Sequence, residues 1–260
     1  AADAGWNPGI HDADCFYQTD PQGFFVGKLD GKIIAVGSAV IYDEHFAFCG
    51  FYIVDKPYRG QGYGLKLTRE RLNYVGKRNT GIDGVTHLLD KYAMLGYKFA
   101  HNNARYECLR YITAQDSAHI VPLADVNFNQ LLQYDRRHFP AIRDAFLRCW
   151  INQPGGKALG YLQDDKLSGY GVIRPCLKGF KIGPLFADTP GIADKLFIHL
   201  ANHAKGDPFY LDIPENNPHA LHLVKRHGLE KVFATARMYL KSTPSLATQH
   251  IFGITSFELG

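Results

Sequence analysis

The chain has 260 residues, 46% of them hydrophobic, and a formal net charge of +4 at pH 7. This length suits two domains with sizeable cores and excludes a small disulfide-stapled scaffold. Lysines and arginines are interspersed with acids and form no long cationic run, which argues against nucleic-acid binding, while the mild positive field suits a polyanionic small ligand. No apolar stretch reaches bilayer length, so no membrane contact is expected. Cys15, Cys49, Cys108, Cys149 and Cys176 are scattered without C-x-x-C spacing and read as thiols in a reducing, cytoplasmic setting. No histidine pattern has metal-ligand spacing; His199 and His203, four apart, suit a packed or solvated helix face, so no metal is expected.

In chain order, Phe24 to Val40 reads as two strands turning at Asp30-Gly31, a strong hairpin signal. The apolar run Phe46 to Val54 reads as a buried strand. The loop Asp55 to Tyr58 and the bend Arg59-Gly60-Gln61-Gly62-Tyr63-Gly64 follow, and then a helical pattern carried by Leu65, Leu67, Leu72 and Val75. Strand, glycine bend and helix in that order make an anion cradle. Glycine lets the backbone approach a diphosphate, and a helix N-terminus points unpaired N–H groups at it. The bend matches neither the Walker loop, which needs Lys-Ser/Thr after its last glycine, nor the G-x-G-x-x-G dinucleotide turn. Gly81-Ile82-Asp83-Gly84 is expected to end a strand. Leu88, Leu89, Tyr92 and Leu95 suit one helix face, Gly96 its C-terminal cap, and Tyr97 and Phe99 an alternating strand.

Asp125–Tyr134 and Phe139–Trp150 look helical, with Pro140 near a helix start. Ala158 to Ile173 then repeats the hairpin. Lys32 and Lys166 stand 134 positions apart, as do Gly37 and Gly171. Gly50 matches Gly183, Asp55-Lys-Pro57 matches Asp188-Thr-Pro190, and Gly96 matches Gly228. So steady an offset argues an internal duplication. The second copy lacks the cradle. Ile192 to Phe197 holds no glycine, Asp194 would repel a phosphate, and Val224 stands where Tyr92 does. The tail Gln249 to Gly260 is apolar; docking across the domain junction and an edge strand on the second sheet both remain open.

Arg59-x-x-Gly62-x-Gly64, followed by Tyr92 with Gly96-Tyr97 after it, resembles the GNAT family of acetyl-CoA-dependent N-acetyltransferases. Trp6-Asn7-Pro8-Gly9 and Arg237-Met238-Tyr239 resemble segments of its tandem subgroup. The resemblance implies an α/β fold of the α+β type: two tandem domains, each a central, mostly antiparallel mixed sheet flanked by helices. The expected domains are residues 1–112, a degenerate copy over 113–245, and a docking tail over 246–260. Only Ala1 to Gln22 stands where the family places a strand and two helices, which leaves the first strand open. The resemblance further implies acetyl-CoA held by Ile53, Val54, Arg59, Gly60, Gln61, Gly62, Tyr63 and Gly64, with Tyr92 as the acid toward the departing thiolate. The acceptor is expected to be a small-molecule amine, met by Trp6, Asn7, Asp12, Asp14 and Tyr17 and attacking directly in a ternary complex. The family's usual base position falls on Phe48, which takes no proton. Asp43, Glu44, His45 and above all Asp83 are the candidates, a turn or helix-cap role for Asp83 standing beside the catalytic one. A silent acyl-CoA sensor or a scaffold is the alternative, and oligomeric state is not readable.

Overall fold

The computed structural model describes residues 6–260; residues 1–5, at the head of the expected first domain, lie outside the described residues. After Asp12–Thr19 (α1), the chain forms Phe24–Leu29 (β1) and Lys32–Ile41 (β2) as an antiparallel hairpin. Asp30 and Gly31 turn it with φ of 49° and 80°. Phe46–Val54 (β3) pairs antiparallel with β2, and Tyr63–Val75 (α2) carries the chain to Asn79–Val85 (β4), parallel to β3. Leu89–Met94 (α3) and Lys98–Cys108 (β5) complete this half. The segment Gly81 to Gly84 lies inside β4 and does not end it.

The second half adds Ile120–Pro122 (β6), Phe128–Arg136 (α4), Asp144–Trp150 (α5), Lys157–Gln163 (β7), Lys166–Pro175 (β8) and Phe180–Ala187 (β9). Pro190–Ala201 (α6), Phe209–Pro214 (β10), Pro218–Arg226 (α7), Glu230–Tyr239 (β11) and Ile251–Gly253 (β12) follow. β2 and β8 begin at the repeat-related lysines, Lys32 and Lys166, as the duplication requires. The α5 helix is shorter than its apolar pattern suggests. It starts at Asp144 because Arg143 is extended toward Asp135, to which its Nε and Nη2 donate at 2.8 and 2.7 Å. Pro140 therefore precedes the helix and does not open it.

The two halves share one twelve-stranded mixed sheet in the order β1-β2-β3-β4-β11-β5-β10-β9-β8-β7-β6, with β12 against β9. The centre of that order is a strand exchange. β11, from the second half, sits between β4 and β5, and β5, from the first, sits between β11 and β10. Two buried ion pairs cross the exchange at repeat-related positions. Arg105 on β5 donates to Asp212 on β10 at 2.7 and 2.8 Å, and Arg237 on β11 donates to Asp83 on β4 at 3.0 and 2.7 Å. Removing one partner of such a pair strands a buried charge.

Helices α1 and α5 meet where the halves adjoin. Phe146 stacks on Trp150 with ring centroids 4.7 Å apart, and Phe16 lies 5.9 Å from the same indole. Cys15 and Cys149 are joined there as a disulfide with a Cα separation of 5.3 Å. This corrects the reading of five thiols. The two cysteines stand 134 positions apart, the repeat offset itself, so the duplication packs equivalent residues against each other. Cys49, Cys108 and Cys176 are free and buried. Among the described residues no helix is long and apolar enough to cross a membrane.

His138, in the turn after α4, is buried against Phe186, and its Nδ1 lies 2.9 Å from the Tyr134 carbonyl. Burial pushes its pKa down from 6.5 to about 4. The folded state therefore binds this proton less readily than the unfolded chain does. The associated stability is whole above pH 6.5 and is lost as the pH falls toward 4. Replacing His138 by Phe should remove about 1–3 kcal/mol of the stability difference between pH 7 and pH 4.5, read from urea titrations at the two pH values. Arg237→Ala should lower the unfolding free energy by about 3–5 kcal/mol at neutral pH, and the Arg237→Ala/Asp83→Ala double variant should recover part of that loss.

Candidate active site

β3 and β4 begin as neighbours and then part. Their pairing covers Phe46, Ala47 and Phe48 against Asn79, Thr80 and Gly81 and goes no further, although the strands continue to Val54 and Val85. Past Phe48 the β3 edge toward β4 carries backbone groups without a strand partner. A bulge bends β3 at the same place. One extra residue stands between the pairs Ser38–Gly50 and Val36–Ile53, and Phe51 takes φ of 47°. Ile53 and Val54, read as thioester-side residues, lie on this diverging stretch.

The glycine bend stands at the mouth of that wedge and is exposed from Arg59 to Gly62. Gly60 and Gly62 have φ of 78° and 86°, a region that a side chain disfavours, and a Cβ on either would meet open space. Gly64 serves differently: a Cβ there would collide with the Tyr52 hydroxyl and Val54, so the glycine lets α2 pack onto the end of β3. The Arg59 Nε donates to the Val54 carbonyl at 2.8 Å, which ties the bend to the end of β3, and Gln61 Nε2 donates to the Pro57 carbonyl of the preceding loop at 2.9 Å. Gly62 caps α2 without a side chain, so the first-turn N–H groups, those of Tyr63, Gly64 and Leu65, face outward. Lys56, Arg59, Lys66 and Arg69 are exposed around them. An open, uncapped, cationic bend of this kind fits a diphosphate.

Tyr92 projects from α3 into the wedge, its ring against Gly84 on β4 so closely that a Cβ there would overlap it. Burial raises the pKa of its hydroxyl, opposed by the Val85 backbone N–H. Tyr92 therefore stays protonated at neutral pH, with its O–H available to donate. Neighbours that the motif reading missed share the wedge. Arg71 of α2 donates to the Ser38 and Gly50 carbonyls at 2.8 and 3.2 Å and lies over the Tyr52 ring. Cys49 and Tyr97 lie beside it, and burial pushes the Cys49 thiol up. Arg71 was legible only as a polar residue on the apolar side of α2.

The remaining candidates are held elsewhere. Asp83 has both oxygens engaged by Arg237, and Asn103 Nδ2 adds a bond at 2.7 Å. Burial raises the Asp83 pKa against the lowering pull of Arg237. Asp43 accepts from the His45 and Phe46 amides at 2.8 and 2.7 Å, and Glu44 and His45 project into solvent. Asp12 is fully buried; Arg174 donates to it at 2.7 and 3.1 Å and the Gly9 N–H at 2.8 Å, so it anchors the N-terminal segment. Asn7 is bonded both ways to the Lys178 backbone, at 3.0 and 3.2 Å. Trp6 stands 6.5 Å from Phe51 at the bulge, while Asp14 and Tyr17 are exposed on α1.

The second half repeats the wedge and closes it. Pairing of β9 with β10 ends at Ile182 and Leu211, and beyond it β12 pairs antiparallel with β9 while the Ile254 N–H donates to the Asp212 carbonyl of β10 at 2.8 Å. The chain's own tail thus fills the gap. No bend precedes α6: Ile192 to Phe197 lie within the helix, and the Thr189 hydroxyl caps it by accepting from the Ile192 N–H at 3.3 Å. Val224 is buried in the core.

Sequence and structure comparisons agree with this geometry. Residues 2–93 match a model described as the acetyltransferase (GNAT) family, and residues 131–253 match an acetyltransferase (GNAT) domain model. The chain is 29% identical to the holothin acyltransferase of a Pseudoalteromonas species, over 98% of this chain and 87% of that protein. A solved Pyrococcus horikoshii structure, described only provisionally as an acetyltransferase, superposes with a TM-score of 0.82 at 24% identity, over 95% of this chain and 84% of that one. A tandem GNAT protein from the clavulanic acid biosynthesis pathway shares the fold with a TM-score of 0.62 at 13% identity, over 92% and 89% of the two chains. With both halves matched and both wedges present, the chain belongs to the GNAT acetyltransferase family as a tandem member.

Proposed function

We propose that the protein transfers an acetyl group from acetyl-CoA to a primary amine of a small molecule, using the site of its first half alone. One observation carries this reading: the first wedge has an unpaired strand edge and an open glycine bend at its mouth, and the second has neither. The similarity to an acyltransferase named for holothin supports transfer of an acyl group and makes holothin the first acceptor to try.

When bound, acetyl-CoA supplies a thioester carbonyl as electrophile and a thiolate as leaving group. In this reading the amides of Gly60 to Leu65, with the positive end of α2, hold the diphosphate, and Arg59 and Gln61 keep the bend in shape. The free edge of β3 at Val54 offers an N–H group to the pantetheine or to the developing oxyanion, while Ile53 pairs with Val36 of β2 beside it. Tyr92 donates its proton toward sulfur, a role that its raised pKa preserves to high pH. Cys49, the thiol nearest the wedge, is buried and held protonated, which disfavours an acyl-enzyme and supports direct attack by the amine. Trp6 and Phe51 offer the acceptor an aromatic wall, with Asn7 fixing the segment that carries Trp6. Asp12 supports that segment from below through Arg174, and Asp83, tied to Arg237, shapes the floor of the wedge.

The test is release of free thiol from acetyl-CoA across a panel of primary amines, with holothin tried beside them. Tyr92→Phe should lower kcat by about 100-fold or more while leaving the Kd for acetyl-CoA within about twofold. Unchanged turnover would remove Tyr92 from the chemistry. A wild-type protein that binds acetyl-CoA and acetylates nothing in the panel would favour a sensor.

A further inference from the structure

One buried arginine of the first half has no carboxylate to answer it. Arg105, Arg143, Arg174 and Arg237 are buried, and each is paired with an aspartate at 2.7 Å. Arg71 of α2 is 5% exposed, and among the described residues no carboxylate lies within ion-pair distance of it. Its Nε donates to the Ser38 carbonyl at 2.8 Å and its Nη2 to the Gly50 carbonyl at 3.2 Å. Carbonyls satisfy the N–H groups but leave the net positive charge in place, and a buried charge without a counter-charge is costly.

The duplication shows that packing does not require this charge. Gly37 on β2 and Gly171 on β8 are repeat-related, and each leaves room for one helix side chain. A Cβ on Gly37 would stand 2.9 Å from the Arg71 Cδ, and a Cβ on Gly171 would stand 2.6 Å from the Leu200 Cδ1. Leu200 of α6 is fully buried in an apolar cluster. The half with a filled wedge thus places a leucine against the glycine, and the half with an open wedge places a guanidinium there.

The guanidinium stands where β3 leaves β4. It holds the carbonyl of Gly50 at the bulge and lies 5.6 Å from the centroid of the Tyr52 ring, whose hydroxyl abuts Gly64 in the first turn of α2. Its charge also reaches Cys49, Tyr97 and Tyr92, and none of these is ionised at neutral pH. Burial raises the pKa of the Tyr92 hydroxyl, while the Val85 N–H and the Arg71 charge pull it back. A phenol shielded from water gives up its proton reluctantly, because the phenolate is poorly solvated; a fixed cation nearby offsets that penalty. The offset grows when a bound donor displaces water from the wedge, since the charge is then less screened.

We propose that Arg71 is a positioning residue that acts through Tyr92: its guanidinium, fixed beneath the β3 bulge, holds the negative charge left on Tyr92 once the hydroxyl proton has passed to sulfur. The inference rests on the acyl-transfer reading above. As the nitrogen–carbon bond forms, the amine releases one N–H proton to solvent. As the carbon–sulfur bond breaks, its electron pair goes to sulfur and is protonated by Tyr92. The phenolate then regains a proton from solvent, so the enzyme ends as it began.

The experiment compares Arg71→Gln and Arg71→Lys, each alone and combined with Tyr92→Phe, using the amine that the wild type acetylates fastest. Arg71→Gln keeps length and a donor for the carbonyl but removes the charge. It should lower kcat by about 30-fold, with the Kd for acetyl-CoA within about threefold. Arg71→Lys keeps the charge and should stay within about fivefold of wild type. With Tyr92→Phe already in place there is no phenolate to hold, and Arg71→Gln should cost less than about threefold more, whereas a merely structural role would cost the same in both backgrounds. Equal slowing in the two backgrounds, an Arg71→Gln rate within threefold of wild type, or loss of acetyl-CoA binding by Arg71→Gln would overturn the inference while acyl transfer stands. A wild type that acetylates no amine would bring down both readings.

Discussion

Parallel strands that part inside a protein leave backbone N–H and C=O groups that something must satisfy, and this constraint organises the molecule. An unsatisfied buried group costs about 1–3 kcal/mol, and a wedge exposes several in a row. The second half answers with its own chain, since β12 lies between β9 and β10 as a short internal strand. The first half leaves the equivalent edge of β3 free behind an uncapped helix. An extended, amide-bearing ligand would do for β3 what β12 does for β9. The difference between the halves is thus one of which partner pairs with the strand, and the missing glycines of the second half follow from it.

The strand exchange makes the halves inseparable. β5 and β11 each finish the sheet of the other half, and the Arg105–Asp212 and Arg237–Asp83 pairs tie each exchanged strand to its new neighbour. The tail extends the same logic. It closes the second wedge at Gly183, where the Ile254 and Thr255 carbonyls pack, and reaches the first at Gly50, where the Glu258 carbonyl packs. Gly50 and Gly183 were read as repeat-related. The structure shows why both are glycine: each admits the backbone of one passing segment.

Much of this was legible beforehand because it is local. The Asp30-Gly31 turn, the strand into the glycine bend, and the repeat offset depend on near neighbours in the chain, and the offset even locates β8 to the residue. What escaped depends on distant pairing. Nothing near Asp83 in sequence announces Arg237, 154 positions away, so a carboxylate in a glycine-flanked segment read as a base is an ion-pair partner inside a strand. Asp12, expected at the acceptor, is buried on Arg174 for the same reason. The Cys15–Cys149 bond was hidden because spacing rules concern short intervals and this interval is a whole repeat.

Titration calorimetry with acetyl-CoA tests the central claim most directly, because an open wedge in one half and a filled one in the other is a statement about stoichiometry. The account predicts one equivalent bound per chain at micromolar Kd, and loss of that binding in a Gly60→Asp/Gly62→Asp variant that puts side chains and negative charge on the first bend. Two equivalents per chain, or a single equivalent untouched by that variant, would contradict it.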